Sequence, residues 1–136
     1  MMITGQQLIN GQWVQGEAGH YQAVNPAAAA FIEPVMSYAS KAKVHQAVAA
    51  AAAAAPIFAA TTLEQRAAFL ELCADEIMAL GDVLPERVAL ETGYPKARGE
   101  GERARTVNQL RLFASSIRSG EYLNIRIDTA LPDRQP

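Results

Sequence analysis

The residues that carry most enzyme chemistry are scarce in this sequence. In 136 residues there is one cysteine, Cys73, and there are two histidines, His20 and His45. A single cysteine excludes an intramolecular disulfide bond and suits a reducing, cytosolic compartment. With so few cysteines and histidines, the spacing of a zinc site is also absent. The sequence therefore predicts no metal ligand.

Phosphate-binding patterns are missing as well. Neither GxGxxG nor GxxxxGK[ST] occurs, and "GEGERAR" (99–105) has only two glycines, inside a predicted helix and not after a strand. Cys73 lies deep in a predicted helix, one position from Ala74 of its apolar stripe, so it is interpreted as an inert core thiol. His20, His45 and Glu91 are interpreted as surface or capping residues, because spacing gives none of them a catalytic partner. By its residues alone, the chain is predicted to contain no catalytic and no cofactor-binding residue.

Long hydrophobic runs and a charge excess of one sign are also lacking. The formal net charge of -2 gives no general attraction to nucleic acid or anionic lipid. Residues 44–63 are uncharged over about the length of a membrane span, but half of them are alanine and Pro56 interrupts them. The N-terminus has no basic start followed by an apolar run, so it does not resemble a secretory signal. We expect no membrane and no nucleic-acid partner.

The first 39 residues are predicted to form two small β-hairpins. "LINGQWV" places Leu8 and Ile9 before Asn10-Gly11, and Asn-Gly is a strong signal for a hairpin turn. A second pair is predicted over residues 20–24 and 31–39, with a turn near Asn25-Pro26. Pro34 in the last strand indicates an edge. Two such hairpins are too small to form a stable sheet domain by themselves.

Residues 40–120 are predicted to be helical. Ser40 is expected to cap the first helix, which continues toward Pro56 and Phe58. Thr61 and Glu64 have the spacing of a capping box for the second helix. The apolar stripe of this second helix contains Ala67, Leu70, Ala74, Ile77 and Leu80, and Gly81 ends it.

Two more helices follow, separated by the corner "ETGYP". The third is expected from Asp82 to Thr92, with Gly93 as its end, and the fourth begins near Pro95 and ends near Gly120. From Lys96 to Arg118 this fourth helix has six basic and two acidic residues. Nucleic-acid binding is one interpretation, but Phe113 is the one aromatic residue among these cations, too few for an interleaved pattern. A solvated face with Glu–Arg pairs is the favoured one.

The chain ends with a segment that alternates like a strand. In "YLNIRI" the side chains of Leu123, Ile125 and Ile127 are predicted to share one face. No second strand follows it, and an apolar strand requires a partner. That partner could be an earlier strand, another subunit or sequence outside this chain. Residues 121–136 are therefore interpreted as an unpaired strand and a polar tail.

Five short stretches occur in a familiar order. They are "INGQWV", "NPA", "EQRAAFLELCADEIMAL", "LETGYPKA" and "LRLFA". In this order they resemble the start of NAD(P)-dependent aldehyde dehydrogenases. Residues 66–114, together with "RIDTALPDRQP", resemble the α-ketoglutaric semialdehyde dehydrogenase branch. In one departure, many relatives have Thr-Gly-Glu after Asn-Pro, whereas this chain has only alanines, which leaves the turn of the second hairpin less certain.

The resemblance implies an α/β family fold, of which this chain is an α-rich α+β N-terminal fragment. The helical part would precede the nucleotide-binding domain, and the family's catalytic Cys, general-base Glu and nucleotide-binding strands come later in its sequence. Cys73 does not match the nucleophile's motif. A full-length enzyme would use NAD or NADP to oxidise an aldehyde, whereas the fragment alone is expected to be inactive and to bind no cofactor.

Two roles follow from the same resemblance. Residues 121–128 match the start of strands that family members use for subunit association, which implies a homo-oligomer. The helix over Lys96–Ser119 runs past the tunnel through which the aldehyde reaches the site, so Arg105 is a candidate for attracting an aldehyde that carries a carboxylate. The alternative to the enzyme is a non-enzymatic helical module for self-association or regulation, derived from that family.

Overall fold

The N-terminal residues form two separate antiparallel hairpins. The computed structural model describes residues 3–130, 132 and 133. Strands β1 (Gln7–Ile9) and β2 (Gln12–Val14) pair with Leu8 opposite Trp13. Asn10 and Gly11 both have positive φ, 51° and 75°, as a type I′ turn requires. The first predicted hairpin is therefore confirmed.

The second hairpin is also confirmed, and it contains an irregularity at the predicted proline. Strands β3 (His20–Asn25) and β4 (Ala30–Ser37) are antiparallel. Their register shifts between Tyr21 and Ala23, opposite the part of β4 that contains Pro34, which cannot donate a ladder hydrogen bond. The turn without glycine still forms, because the Asn25 side chain accepts a hydrogen bond from the Ala27 backbone N at 2.9 Å.

Four helices follow at the predicted places. They are α1 (Lys41–Ala59), α2 (Leu63–Ala79), α3 (Val83–Thr92) and α4 (Lys96–Ser119). Ser40 caps α1 by accepting a hydrogen bond from the Lys43 backbone N at 3.3 Å. Gly93 and Gly120 end α3 and α4 with φ of 72° and 67°. The predicted helix–Gly–Pro–helix corner is confirmed.

The capping box of α2 lies one residue later than predicted. Thr62 and Gln65 form it, with the Gln65 N to Thr62 Oγ1 distance at 3.1 Å and the Thr62 N to Gln65 Oε1 distance at 2.9 Å. Thr61 instead donates its hydroxyl to the Phe58 carbonyl at 2.6 Å, where α1 ends. The prediction of Thr61 and Glu64 was wrong because the free carbonyls at the end of α1 bind the first threonine.

The core is formed by small side chains where α2, α3 and α4 meet. Its fully buried helical members are Ala67, Ala74, Pro85, Gly99, Val107 and Ala114. The other residues of the predicted apolar stripe of α2, Leu70, Ile77 and Leu80, are half-buried. Small residues let helix axes approach closely, which accounts for a core with few large anchors. By contrast, α1 has no buried residue in the described chain, and its Ile57 is 73 % exposed.

The strand predicted over residues 121–128 does not form within the described chain. Glu121–Leu123 form a 3₁₀ turn, and Asn124 has a φ of 49°, which interrupts an extended backbone. Residues 124–130 have no regular secondary structure and pair with none of the strands in the described part of the chain. An alternating pattern forms a strand only where a second strand supplies hydrogen bonds. The division at 1–39, 40–120 and 121–136 stays a prediction, and residues 131 and 134–136 lie outside the described residues.

Candidate functional site

The basic side chains of α4 contact neighbouring helices. Lys96 Nζ lies 2.9 Å from Asp82 Oδ2 and 3.2 Å from Glu86 Oε1, which fastens the start of α4 to α3. The hydrogen bonds that Lys96 donates to Asp82 and, to a smaller extent, to Glu86 raise the pKa of Lys96. Arg111 Nη2 contacts Asp75 Oδ1 on α2 at 2.9 Å. These pairs hold α4 against both neighbours.

Near the end of α4, one guanidinium binds two carboxylates of α2. Arg118 Nε and Nη2 lie 2.7 and 2.8 Å from the Glu64 carboxylate oxygens. Its Nη1 and Nη2 lie 2.5 and 2.7 Å from those of Glu71. Hydrogen bonds from Arg118 lower the pKa of both carboxyl groups. We name this group, Arg118 with Glu64 and Glu71, the Arg118 clamp.

A third cluster contains the predicted substrate-binding residue. Arg105 Nε lies 3.0 Å from Glu102 Oε2, and Arg98 Nη2 lies 3.4 Å from Glu102 Oε1. Hydrogen bonding by Arg105 is the main cause that lowers the pKa of Glu102. The Arg98 guanidinium also lies over the Tyr94 ring at 5.7 Å. The Arg105 side chain is 79 % exposed, and its substrate role stays a prediction.

These contacts change the interpretation of the basic segment. Arg103 donates to the Gly81 carbonyl, so all six basic side chains from Lys96 to Arg118 have a partner. Carboxylates of α2 and α3 contact three of these cations, Lys96, Arg111 and Arg118, which favours the interpretation as a solvated face. The expected Glu–Arg pairs within α4 occur at Glu102, but the pairs with α2 and α3 were missed. The sequence has no signal for them, because side-chain spacing within one helix does not tell which other helix lies beside it.

The corner between α3 and α4 borders a shallow cavity of about 460 Å³. Its lining comes from the β3–β4 turn and from the two helices: Asn25, Ala27, Glu86, Ala89, Leu90, Gly93 and Lys96. Glu91 faces elsewhere, with its Oε1 2.5 Å from Arg87 Nε. Arg87 also donates to the Glu33 carbonyl and thereby connects α3 to β4. Glu91 therefore has a structural contact, in keeping with the surface interpretation.

The residues with nucleophilic or metal-binding chemistry lie apart. Cys73 is half-buried, so its position is less interior than the predicted core thiol. His20 and His45 are both exposed. Residues 3–130, 132 and 133 contain no cluster of His, Cys, Asp and Glu that could hold a metal ion. Within the same ranges, no helix is long and apolar enough to cross a membrane.

The described fold also does not fit a dinucleotide cofactor. Dinucleotides bind at the carboxyl ends of parallel strands, beside a glycine-rich turn that opens a helix. Both sheets of this chain are antiparallel pairs, and α1 follows β4 without such a turn. No residue of the described chain is assigned to NAD or NADP on these grounds.

Comparison with known proteins decides the family. Residues 13–135 match the sequence profile of the aldehyde dehydrogenase family. The chain belongs to this family. Among curated aldehyde dehydrogenases, α-ketoglutaric semialdehyde dehydrogenase 2 of Azospirillum brasilense is 48 % identical over the whole of this chain and 26 % of its own length. The α-ketoglutaric semialdehyde dehydrogenase of Acinetobacter baylyi is 42 % identical over 98 % of this chain and 25 % of its own.

Solved aldehyde dehydrogenases share the fold. A NAD-dependent benzaldehyde dehydrogenase from Corynebacterium glutamicum superposes with a TM-score of 0.78 at 27 % identity, over 85 % of this chain and 25 % of that one. A succinate-semialdehyde dehydrogenase from Burkholderia pseudomallei superposes with a TM-score of 0.75 at 26 % identity, over 94 % of this chain and 26 % of that one. The chain therefore spans about a quarter of the length of the relatives it matches.

Proposed function

We propose that this chain is part of an enzyme that oxidises α-ketoglutaric semialdehyde to a dicarboxylic acid with NAD or NADP. The observation that carries the proposal is the identity of 48 % and 42 % to two bacterial enzymes of that name over nearly the whole chain. The use of a nicotinamide cofactor is supported by the solved NAD-dependent relative. The single cysteine is compatible with a reducing, cytoplasmic compartment.

In this proposal the chain supplies a scaffold and not the reacting groups. The cofactor would accept hydride from the aldehyde at a site built by residues outside those described here. The α2–α3–α4 core would hold α4 in a fixed position through the Arg118 clamp and through Lys96 with Asp82 and Glu86. The chain alone is expected to have no dehydrogenase activity.

Arg105 is proposed to attract the carboxylate end of the aldehyde. Its guanidinium is exposed and shares Glu102 with Arg98, so this cluster has two cations for one carboxylate. An incoming carboxylate could pair with Arg105 without leaving a buried charge unpaired. Exposed ion pairs such as Arg105 with Glu102 contribute little energy, so a change of partner costs little.

Residues 121–128 are proposed to associate with a second copy of the chain. Ile125 and Ile127 are 70 % and 90 % exposed. The backbone of residues 125–130 has no strand partner in the described chain, so its N–H and C=O groups are available for pairing. Pairing with another copy would cover both isoleucines and satisfy these groups.

The first experiment is the intact mass of the native protein, followed by an activity assay. A mass several-fold above 14.6 kDa, with NAD(P)-dependent oxidation of α-ketoglutaric semialdehyde in preference to benzaldehyde, is expected. A native mass near 14.6 kDa would contradict the enzyme proposal. It would favour the alternative, a non-enzymatic self-association or regulatory module, because the described residues form no catalytic cluster.

A further inference from the structure

The residues that precede β1 lie against the second hairpin. Gly5 is buried, and a Cβ atom there would be only 2.3 Å from the Val35 carbonyl oxygen and 3.4 Å from the Met36 Cα. Its φ of 71° also lies in the left-handed region that favours glycine. The backbone of residues 3–6 therefore passes directly along β4, at a distance that no side chain at Gly5 would allow.

One buried hydroxyl connects this segment to β4. Ser37 is 5 % exposed, and its Oγ donates to the Gly5 carbonyl at 3.4 Å. The same Oγ accepts hydrogen bonds from the Gly16 backbone N at 2.8 Å and from Gln15 Nε2 at 3.1 Å. Gln7 Nε2 donates to the Ser37 carbonyl at 3.0 Å. Because a buried polar group that loses its partner is costly, Ser37 fixes residues of three chain segments at one point.

The other end of the segment reaches the helices. Ile3 is half-buried and lines a small apolar cavity of about 90 Å³. The rest of the cavity wall comes from the end of α2 and the start of α3: Leu80, Val83, Leu84 and Arg87. Apolar side chains that leave water in this way stabilise the contact between their segments. Residues 3–6 thus touch β4 at one end and the α2–α3 corner at the other.

The same cavity wall contains the residue that joins β4 to α3. The Arg87 side chain is 14 % exposed, and its guanidinium donates to the Glu33 carbonyl of β4. A hydrogen bond of this kind is stronger where water is excluded. Ile3 lies beside this junction, because it lines the same cavity as Arg87. An isolated two-stranded hairpin is marginal in water, so the β3–β4 ladder depends on its attachment to the helices.

We propose that residues 3–6 form a strap that locks the second hairpin onto the corner between α2 and α3. Ser37 and Gly5 hold one end of the strap on β4, and Ile3 anchors the other end. When the strap is released, the hairpin leaves α3 and its ladder opens. The strap thereby also controls the shape of the shallow cavity at the α3–α4 corner, which the β3–β4 turn helps to line. This inference does not depend on the proposed dehydrogenase function.

The test measures amide hydrogen exchange in the full chain, at the strand amides of β3 and β4 and at the core amides of Val107 and Ala114. Gly5→Ala pushes the strap away from β4, and Ile3→Ser removes its anchor. Gly11→Ala is the matched control, because Gly11 has a similar φ of 75° but no atom within 4 Å of a Cβ there. The double variant Gly5→Ala with Ile3→Ser tests whether the two ends act as one unit.

We expect each strap variant to speed exchange in β3 and β4 about tenfold, equal to about 1.4 kcal/mol, and to leave exchange at the core amides unchanged, because the opening is local. Gly11→Ala should speed exchange in β1 and β2 only. The double variant should exchange no faster than the faster single variant, because a strap released at one end no longer holds at the other. Ser37→Ala should act like Gly5→Ala, so a folding failure of Gly5→Ala would not end the test.

Three results would overturn the strap. If both strap variants exchange in β3 and β4 as slowly as Gly11→Ala, residues 3–6 do not hold the hairpin. If exchange at Val107 and Ala114 rises equally, the substitutions lower the stability of the whole chain and release no local unit. If the two effects multiply in the double variant, Gly5 and Ile3 make independent contacts and do not act as the two ends of one strap.

Discussion

Gly99 lies against Pro85 where α4 packs on α3. A Cβ atom at Gly99 would be 3.0 Å from the Pro85 Cα and 3.1 Å from the Pro85 Cβ. Both residues are buried, and the atoms facing Gly99 belong to a proline ring and its backbone, which cannot rotate away. The glycine is thus required for the approach of the two helices.

Replacing this glycine should therefore destabilise the chain, although alanine favours helix. We expect Gly99→Ala to lower the melting temperature, since overpacking costs about 1–3 kcal/mol and helix propensity returns about 1 kcal/mol. Gly101→Ala is the matched control, because no atom lies within 4 Å of a Cβ there. The Gly101→Ala variant should have a free energy of unfolding about 1 kcal/mol higher than the unmodified chain. Circular dichroism melts give the melting temperature of each variant. If the Gly99→Ala variant is as stable as the Gly101→Ala variant, the close contact between Gly99 and Pro85 is contradicted.

The β3–β4 turn should become more stable with glycine at its left-handed position. Ala29 has a φ of 50°, which costs an L-residue about 1–2 kcal/mol. Ala29→Gly should therefore raise the free energy of unfolding by about 1 kcal/mol. Ala28→Gly, one residue earlier and outside the left-handed region, should lower it by about 0.5 kcal/mol. Urea titration of both variants checks the prediction, and equal shifts in the same direction would refute it.

Acid should weaken the contact between α2 and α4. Arg118 holds the pKa of Glu64 and Glu71 below the ordinary value of 4.5. A carboxyl group with a lowered folded pKa stabilises the fold above its unfolded pKa, and this contribution is lost as pH falls through the folded pKa. The melting temperature should thus fall below about pH 4.5, and Glu71→Gln should flatten that fall.

A double-mutant cycle separates the clamp from other acid effects. In the Arg118→Gln background the carboxylates have lost their partner, so adding Glu71→Gln should change the acid dependence little. Melting temperatures of the four proteins between pH 3 and pH 7 give the comparison. Should Glu71→Gln flatten the profile equally with and without Arg118, the lowered pKa would have another origin.

Arg105 should matter for charged aldehydes only. In the active native enzyme, Arg105→Ala is expected to raise KM for α-ketoglutaric semialdehyde several-fold and to leave KM for benzaldehyde unchanged, because the neutral substrate has no carboxylate to attract. Arg98→Ala is the control, since Arg98 shares Glu102 but also lies over Tyr94. Steady-state kinetics with both aldehydes measure the effect. Equal changes for both substrates would reject the role.

Local chemistry predicted most of the fold correctly. The turn at Asn10-Gly11, the cap at Ser40 and the helix ends at Gly93 and Gly120 all depend on one or two neighbouring residues. Such signals survive in any tertiary context, and their positions were correct. The capping box lies one residue later than predicted because Thr61 donates its hydroxyl to a carbonyl of the preceding helix.

Features that depend on distant residues were not predicted. Ile125 and Ile127 have the alternation of a strand, but hydrogen bonds from a second strand are absent from the described chain. The Arg118 clamp joins residues 47 and 54 positions apart, and a single sequence does not tell which helices become neighbours. For the candidate site, family resemblance named Arg105, whereas the clamp was visible only after α2 and α4 were placed together.

The exposed course of α1 has a consequence for how the chain unfolds. With no buried residue among those that the structure describes, α1 is held mainly by alanine's helix propensity and by an edge contact between the Phe58 and Phe69 rings, whose centroids lie 5.9 Å apart. Pro56 weakens its last turns further by removing a backbone donor. We expect α1 to open as a separate cooperative unit, with amide protons of residues 49–55 exchanging through local openings long before those of Val107 and Ala114.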